Sequence, residues 1–219
     1  MRKKVRKVYW LILFSLIIIY SCQEEEREFF IEDNIPTDSE LAKVMQKVVT
    51  HDGSFDDIVD GGNCYSINLP YTLLRNGNEL VIDEILDYQQ LLPSDDIQIQ
   101  FPVMITLHNH EEKLVVDNSA LEFLANTCLS NDADIECIDF VYPFKLSLFN
   151  TNTNSISTIE MGHDSQLYKF MLEIDDDILV SINYPIGLTL HNGENTSATH
   201  NIELLNTIMG VANACEEND

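Results

Sequence analysis

Tyr65-Ser-Ile-Asn-Leu-Pro70, Ile97-Gln-Ile-Gln-Phe-Pro102, Ile138-Asp-Phe-Val-Tyr-Pro143 and Val180-Ser-Ile-Asn-Tyr-Pro185 are four versions of one pattern, and its reading decides the fold. Aligned on the proline, the fifth, third and first residues before it are apolar in every copy. So are the first and third after it: Tyr71 and Leu73, Val103 and Ile105, Phe144 and Leu146, Ile186 and Leu188. Alternation with a period of two buries one face of a strand and wets the other. Proline has no N–H to give a ladder, so each strand is expected to be an edge, or to carry a bulge, at that point, with the proline on the wet face.

Each proline strand is followed by a turn rich in Asn and Gly (Asn76-Gly77, Asn109-His110, Asn150 to Asn154, Asn192-Gly193) and a shorter second strand. This is the signature of a hairpin. A capping residue then precedes a leucine by three positions: Asp83 and Leu86, Asn118 and Leu121, Asp164 and Leu167, Asn201 and Leu204. Short amphipathic helices are expected there. A single strand–turn–strand–helix unit cannot bury its own hairpin face. The expected fold is therefore α+β, with four β-hairpin-plus-helix units and antiparallel sheet packed by helices.

Cysteines mark a second level of repetition. Cys64 opens the first unit and Cys128 closes the second in Ala-Asn-Thr-Cys128; Cys137 opens the third and Cys215 closes the fourth in Ala-Asn-Ala-Cys215. Two homologous halves are expected, 64–128 and 137–219 with its acidic tail, joined by an acidic linker at 129–136. Four cysteines allow three pairings, and symmetry does not choose among them. Cys64–Cys128 and Cys137–Cys215 is the expected set, because a duplicated half that once folded alone would carry its own bridge. Loops of this length give roughly 4 kcal/mol per bridge on the chain-entropy model.

Before these units, residues 2–7 are basic, Val8 to Tyr20 is apolar, and Ser21-Cys22 follows. The apolar run falls short of the ~20 residues of a spanning helix and suits a signal peptide over 1–21. Ile19-Tyr20-Ser21-Cys22 resembles a lipobox, which implies a diacylglycerol on Cys22. The acidic stretch Gln23-Glu-Glu-Glu26 resembles the export signal that carries lipoproteins of Bacteroidetes-type bacteria to the outer face of the outer membrane; a periplasm-facing address is the alternative. Residues 22–36 read as a tether, and 37–63 as a docking helix with an acidic loop. In the helix, Leu41, Val44, Met45, Val48 and Val49 make one apolar stripe, and Gly53 is placed to end it.

The formal charge is −25, from 12 basic and 37 acidic residues. Five of the basic residues (Arg2, Lys3, Lys4, Arg6, Lys7) lie in the signal segment, so the mature chain is more acidic still. Such a surface repels phosphate backbones and anionic lipid headgroups, which argues against a nucleic-acid partner. Asp52-Gly-Ser-Phe-Asp-Asp-Ile-Val-Asp60, Cys64-Tyr-Ser-Ile-Asn-Leu-Pro70 and Glu136-Cys-Ile-Asp-Phe-Val-Tyr-Pro143 together resemble a group of uncharacterised lipoproteins of flavobacteria and their relatives. That resemblance implies a cell-surface address and this architecture, and it carries over no site residues.

No nucleophile elbow, P-loop, dinucleotide fingerprint or HExxH helix is present. His108-Asn109-His110-Glu111-Glu112 has metal-binding groups but reads as a solvated turn. Asp52, Asp56, Asp57 and Asp60, and likewise Asp132, Asp134 and Glu136, have the oxygen chemistry calcium prefers. Neither set follows the alternating calcium loop, so both read as acidic surface loops with calcium as the alternative. Tyr65, Tyr71, Phe101, Tyr142, Phe144 and Tyr184 read as core, and the sequon Asn195-Thr196-Ser197 carries no meaning in a bacterial lipoprotein. No cofactor is expected. The sequence points to a non-catalytic envelope lipoprotein that binds a protein or glycan through hairpin tips or a sheet edge. The alternatives are an enzyme with its site between the halves and a calcium-dependent adhesion module.

Overall fold

The computed structural model describes residues 34–128 and 134–214, arranged as an α+β protein with four small antiparallel sheets of three strands each. Cys22, its tether up to residue 33, the linker residues 129–133, Cys215 and the acidic tail lie outside the described residues. Among those described, no helix is long and apolar enough to cross a membrane.

Each proline strand is two strands rather than one. Its first part and its second part lie in different sheets, and the X–Pro bond between them is cis in all four copies, at Pro70, Pro102, Pro143 and Pro185. In the first unit, β1 (Tyr65–Ile67) pairs with β5 (Val103–Leu107), while β2 (Tyr71–Arg75) pairs with β3 (Asn78–Ile82) and β4 (Ile97–Ile99). In the second, β4 has crossed to the first unit's hairpin, and β5 pairs with β6 (Glu112–Val115). The third and fourth units repeat the exchange. β7 (Ile138–Phe140) joins the hairpin of β11 (Ile186–Leu190) and β12 (Asn195–Ala198), and β10 (Ile178–Ile182) joins that of β8 (Phe144–Asn150) and β9 (Ser155–Met161). The expected continuous strand with an edge or bulge is thus replaced by a change of sheet. Proline's missing donor is harmless there, because the ladder stops on both sides of it.

One hydrogen bond recurs at each crossing. The residue two before the proline donates its N–H to the carbonyl two after the partner unit's proline: Asn68 to Met104 (2.8 Å), Gln100 to Thr72 (3.0 Å), Val141 to Gly187 (3.0 Å) and Asn183 to Lys145 (2.9 Å). The Asn76-Gly77 turn has both residues at positive φ (51° and 78°) with Arg75 opposite Asn78, the geometry of a two-residue hairpin whose twist matches its strands.

Ser66 and Ser181, expected on the wet face, are buried (3% and 0% exposed), and Ile97 and Ile99 are only half-buried. Most of the other alternating apolar residues are buried as the pattern requires, in two separate clusters. One draws on residues from Tyr65 to Ala125. The other combines residues 135–208 with Ile35 and the apolar stripe of helix α1 (Glu40–Val48). The docking helix therefore completes the core of the last two units rather than that of the units next to it in sequence. Ile35 donates its N–H to Val180 (2.8 Å), and Asn34 Oδ1 accepts from the Val180 N–H (3.0 Å). These two residues, expected in the tether, are thus fastened to the edge of β10 at Val180. Ile135, expected in the linker, is likewise buried and donates to the Lys47 carbonyl. The helix ends at Val49, earlier than Gly53 suggested.

The later helices are displaced by one residue from their expected starts. Asp164 and Asn201 are the first residues of α4 (Asp164–Glu173) and α5 (Asn201–Ala212), with His163 and His200 at the capping positions. Their side chains are taken up elsewhere: the Tyr142 hydroxyl donates to Asp164 Oδ1 and the Tyr184 hydroxyl to Asn201 Oδ1, both at 2.7 Å. Asn118 similarly begins α3 (Asn118–Cys128), and Asp117 Oδ1 caps it by accepting from the Ala120 N–H. Leu121, Leu167 and Leu204 are buried, but Leu86 is 62% exposed. In the first unit the helix is a 3-10 turn over Ile85–Gln90, closed by a reciprocal Glu84–Asp87 capping box, and its tighter winding turns Tyr88 and Leu91 inward instead.

Candidate functional site

Two places bring polar side chains together away from solvent. The first is a seam between the turn after β5 and helix α4. The His110 Nε2–H donates to the Val49 carbonyl at 2.7 Å, and its ring stands edge-on to His51 (centroids 5.7 Å apart) and to Tyr168 (5.4 Å). The turn expected to be solvated is thus docked, although His108 stays exposed. Beside it, an open groove of about 570 Å³ is lined by Thr106, His110, Glu111, Glu112, Ser165 and Lys169. His51 Nε2 lies 2.7 Å from Ser66 Oγ. Burial, and then the His110 ring, hold His51 below the usual imidazole range against the pull of Asp52 and Asp164, so it is neutral near pH 7. A hydroxyl beside a neutral imidazole is the chemistry of an activated nucleophile. Ser66 is only 3% exposed, however, so in this conformation the bond fastens α1's trailing segment to β1.

The second place is the loop from Asp52 to Asn63. It begins with an Asx turn in which Asp52 Oδ1 accepts from the Ser54 N–H and hydroxyl, and then forms a 3-10 turn (Ser54–Asp56) and the one-turn helix α2 (Asp57–Asp60). Two glycines hold it against β1. A Cβ on Gly53 would lie 2.5 Å from the Tyr65 nitrogen, and one on Gly62 would lie 2.7 Å from the Tyr65 ring. The loop is consequently wrapped around Tyr65, and part of it is internal. Asp56 is fully buried and accepts from the Ile67 N–H at 2.8 Å through Oδ2, while Asp60 Oδ1 accepts from the Gly62 N–H at 3.0 Å. Of the expected acidic surface loop, Asp56 is the clear exception. Among the described residues, no group of three or more His, Cys, Asp or Glu side chains is arranged to hold a metal ion.

Burial dominates the acidity of this loop. It pushes Asp56 up to about 7 and Asp60 up to about 9; each is raised further by neighbouring aspartates, with only main-chain N–H groups pulling the other way. The Tyr65, Tyr71 and Tyr88 hydroxyls around the pair are likewise pushed up by burial and stay neutral. Acids raised on folding favour the folded chain below their unfolded value, near 4, and that contribution is lost as pH climbs through 7 and 9. In metal-free buffer the melting temperature is therefore expected to fall between pH 5 and pH 9. Asp60→Asn, which keeps the shape and cannot ionise, is expected to flatten the fall; a variant with the wild-type pH slope would show that Asp60 does not titrate here.

Sequence reasoning missed the partners of His51 and His110, and the Tyr142–Asp164 and Tyr184–Asn201 bonds. A tyrosine directly before the proline, found only in the third and fourth copies, was the available signal for the latter. No family model, no curated protein and no solved structure matches this chain.

Proposed function

We propose that the protein is a lipoprotein of the cell envelope, anchored through Cys22 and displayed at the outer-membrane surface, that binds a protein or glycan partner and catalyses no reaction. The observation that carries the reading is the placement of the hairpins. The second strand of each hairpin (β3, β6, β9 and β12) is an edge of its sheet, and nearly all its residues except the last are exposed. Exposed edges and Asn-rich tips repeated four times offer related contacts to a partner with repeated features, which gains from avidity. Two homologous halves are part of this reading, supported by the same strand exchange and the same crossing bond in 64–128 and 137–214.

Cys64–Cys128 and Cys137–Cys215 are the proposed disulfides. Neither Cys64 nor Cys137 is a free thiol. The Tyr65 hydroxyl reaches the Leu121 carbonyl of α3 (3.5 Å), and α5 packs against β7, so each opening strand lies by the helix that leads to the expected partner. Non-reducing peptide mapping is expected to recover these two links; a Cys128–Cys137 peptide would overturn them.

The anchor is tested by labelling cells with a radioactive fatty acid, where Cys22→Ala is expected to abolish incorporation, and equal labelling would end the lipoprotein reading. A second reading, an enzyme, is favoured by the His51–Ser66 contact at 2.7 Å beside a groove. Glycosidase, protease, esterase and phosphatase substrates offered to the purified protein distinguish the two. Turnover lost in Ser66→Ala or His51→Ala with folding intact would refute the binding reading.

A further inference from the structure

The outward face of the sheet formed by β10, β8 and β9 is covered where strand alternation leaves it to water. Register places Leu179, Phe149 and Ile156 in one row across that face, and Ser181, Ser147 and Thr158 in the next. In both rows the β9 residue is the exposed one: Ile156 and Thr158 stand in water, against a fully buried Ser181, a buried Phe149, and half-buried Ser147 and Leu179. The cover therefore lies on the β10 side. Phe149 and Leu179 belong to neither core cluster, and Ser181 Oγ has no hydrogen-bond partner among the described residues. The matching face of the β4–β2–β3 sheet is wet. Gln98, four residues before its proline as Ser181 is, is exposed, and so is Glu79 on the far side of Leu74. What sets the β10 sheet apart is the arriving chain: Asn34 and Ile35 hold both main-chain groups of Val180, between Leu179 and Ser181, at the sheet's edge.

We propose that Phe29-Phe30-Ile31, the apolar cluster just upstream of Asn34, docks on this face and supplies its cover. Ile31 is three residues from Asn34 and Phe29 is five, so extended chain carries them about 10 and 17 Å from the edge, enough to cross the ~10 Å between β10 and β9. The main chain of the segment gives the Ser181 hydroxyl a hydrogen-bond partner. A second copy is a poorer occupant: a chain with a charge of −25 repels its like, whereas a segment already fastened at the edge meets the face at high effective concentration. Docking also shortens the leash. With Cys22 as the anchor, the free stretch ends at Phe29 instead of Asn34, about 23 Å rather than about 40 Å when extended, which holds the β10 side of the protein close to the membrane. That consequence rests on the lipoprotein reading; the docking does not.

The test is tryptophan quenching by acrylamide in the full chain. Trp10 is its one tryptophan, so Phe29→Trp and Phe30→Trp, each made with Trp10→Phe, place a single reporter in the segment. At least one reporter is expected to be shielded, with a quenching constant several-fold below that of the same chain unfolded in urea. Leu179→Asp, on the covered face, should bring the constant up to the unfolded value; Val81→Asp, exposed on the matching face of β3, should not change it. Two reporters quenched as in the unfolded chain would overturn the proposal. Shielding that survives Leu179→Asp would overturn it as well, because the segment would then dock elsewhere, and shielding lost on tenfold dilution would assign the face to a second copy. If Leu179→Asp does not fold, the double variant Phe29→Ser, Phe30→Ser decides. It is expected to lower the melting temperature by about 3–6 °C, and an unchanged melting temperature would mean that the segment is undocked. Fatty-acid labelling, which tests the anchor, is independent of each of these readouts.

Discussion

Met45→Asp is expected to leave the protein without a cooperative thermal transition. Met45 is 1% exposed, at the centre of the stripe that α1 lays on α4, α5 and β7. A carboxylate there loses its hydration and meets only apolar neighbours, which exceeds the ~5–15 kcal/mol margin of a typical domain or consumes most of it. Met45→Ala isolates the packing part: deletion of a buried side chain of this size costs about 2–5 kcal/mol, or about 5–15 °C in melting temperature for a chain of this length. Lys43→Asp, on the exposed face of the same helix, is expected to stay within about 0.5 kcal/mol. Circular dichroism melts of the three variants check the series. Equal effects at Met45 and Lys43 would mean that the helix does not dock.

The second large effect is expected at Gly53. A methyl group there would meet the Tyr65 nitrogen at 2.5 Å and the Tyr65 carbonyl at 2.6 Å, both in β1, and the Asn63 carbonyl at 2.7 Å at the loop's own end, all of them backbone atoms that cannot yield like a side chain. Either β1 shifts out of register with β5 or the loop lifts off, carrying Asp56 away from the Ile67 N–H. Gly53→Ala should therefore cost about 3 kcal/mol, at the upper end of overpacking. Gly61→Ala is the control. Nothing lies within 4 Å of its added Cβ, so only the left-handed backbone (φ 69°) resists, at about 1 kcal/mol. Urea titration of both variants measures the difference, and a Gly53→Ala cost no larger than that of Gly61→Ala would show that the loop is not seated as described.

Much of the fold was legible residue by residue, and the limit was set by what alternation encodes. A period of two states which face of Tyr65-Ser-Ile is buried, and Tyr65 and Ile67 are buried; it does not state which strand lies alongside. The exchange of β1 and β4 between neighbouring units is a long-range choice, and the proline marked only the point where the ladder stops. The stripe on α1 required a partner without naming it, and the partner proved to be the far end of the chain. Helix starts were misplaced by one residue because Asp164 and Asn201 carry good capping chemistry that tyrosine hydroxyls recruit instead. At the acidic loop, composition was legible and burial was not. Aspartates default to the surface, and only the close approach that Gly53 and Gly62 permit takes Asp56 inside.

Helix α1 also dictates an order of assembly. It is synthesised ahead of every strand, yet it packs on α5, about 160 residues further along the chain. The cluster between Tyr65 and Ala125 draws on a contiguous stretch and can close as soon as that stretch is complete. The other cluster cannot close until Leu204 and Ile208 arrive, and until then the stripe from Leu41 to Val49 faces water. Non-local closure of this kind is the slow class of folding event and the one most exposed to aggregation, so a chain threaded through a membrane from its N-terminus would carry that apolar stripe uncovered for the whole passage.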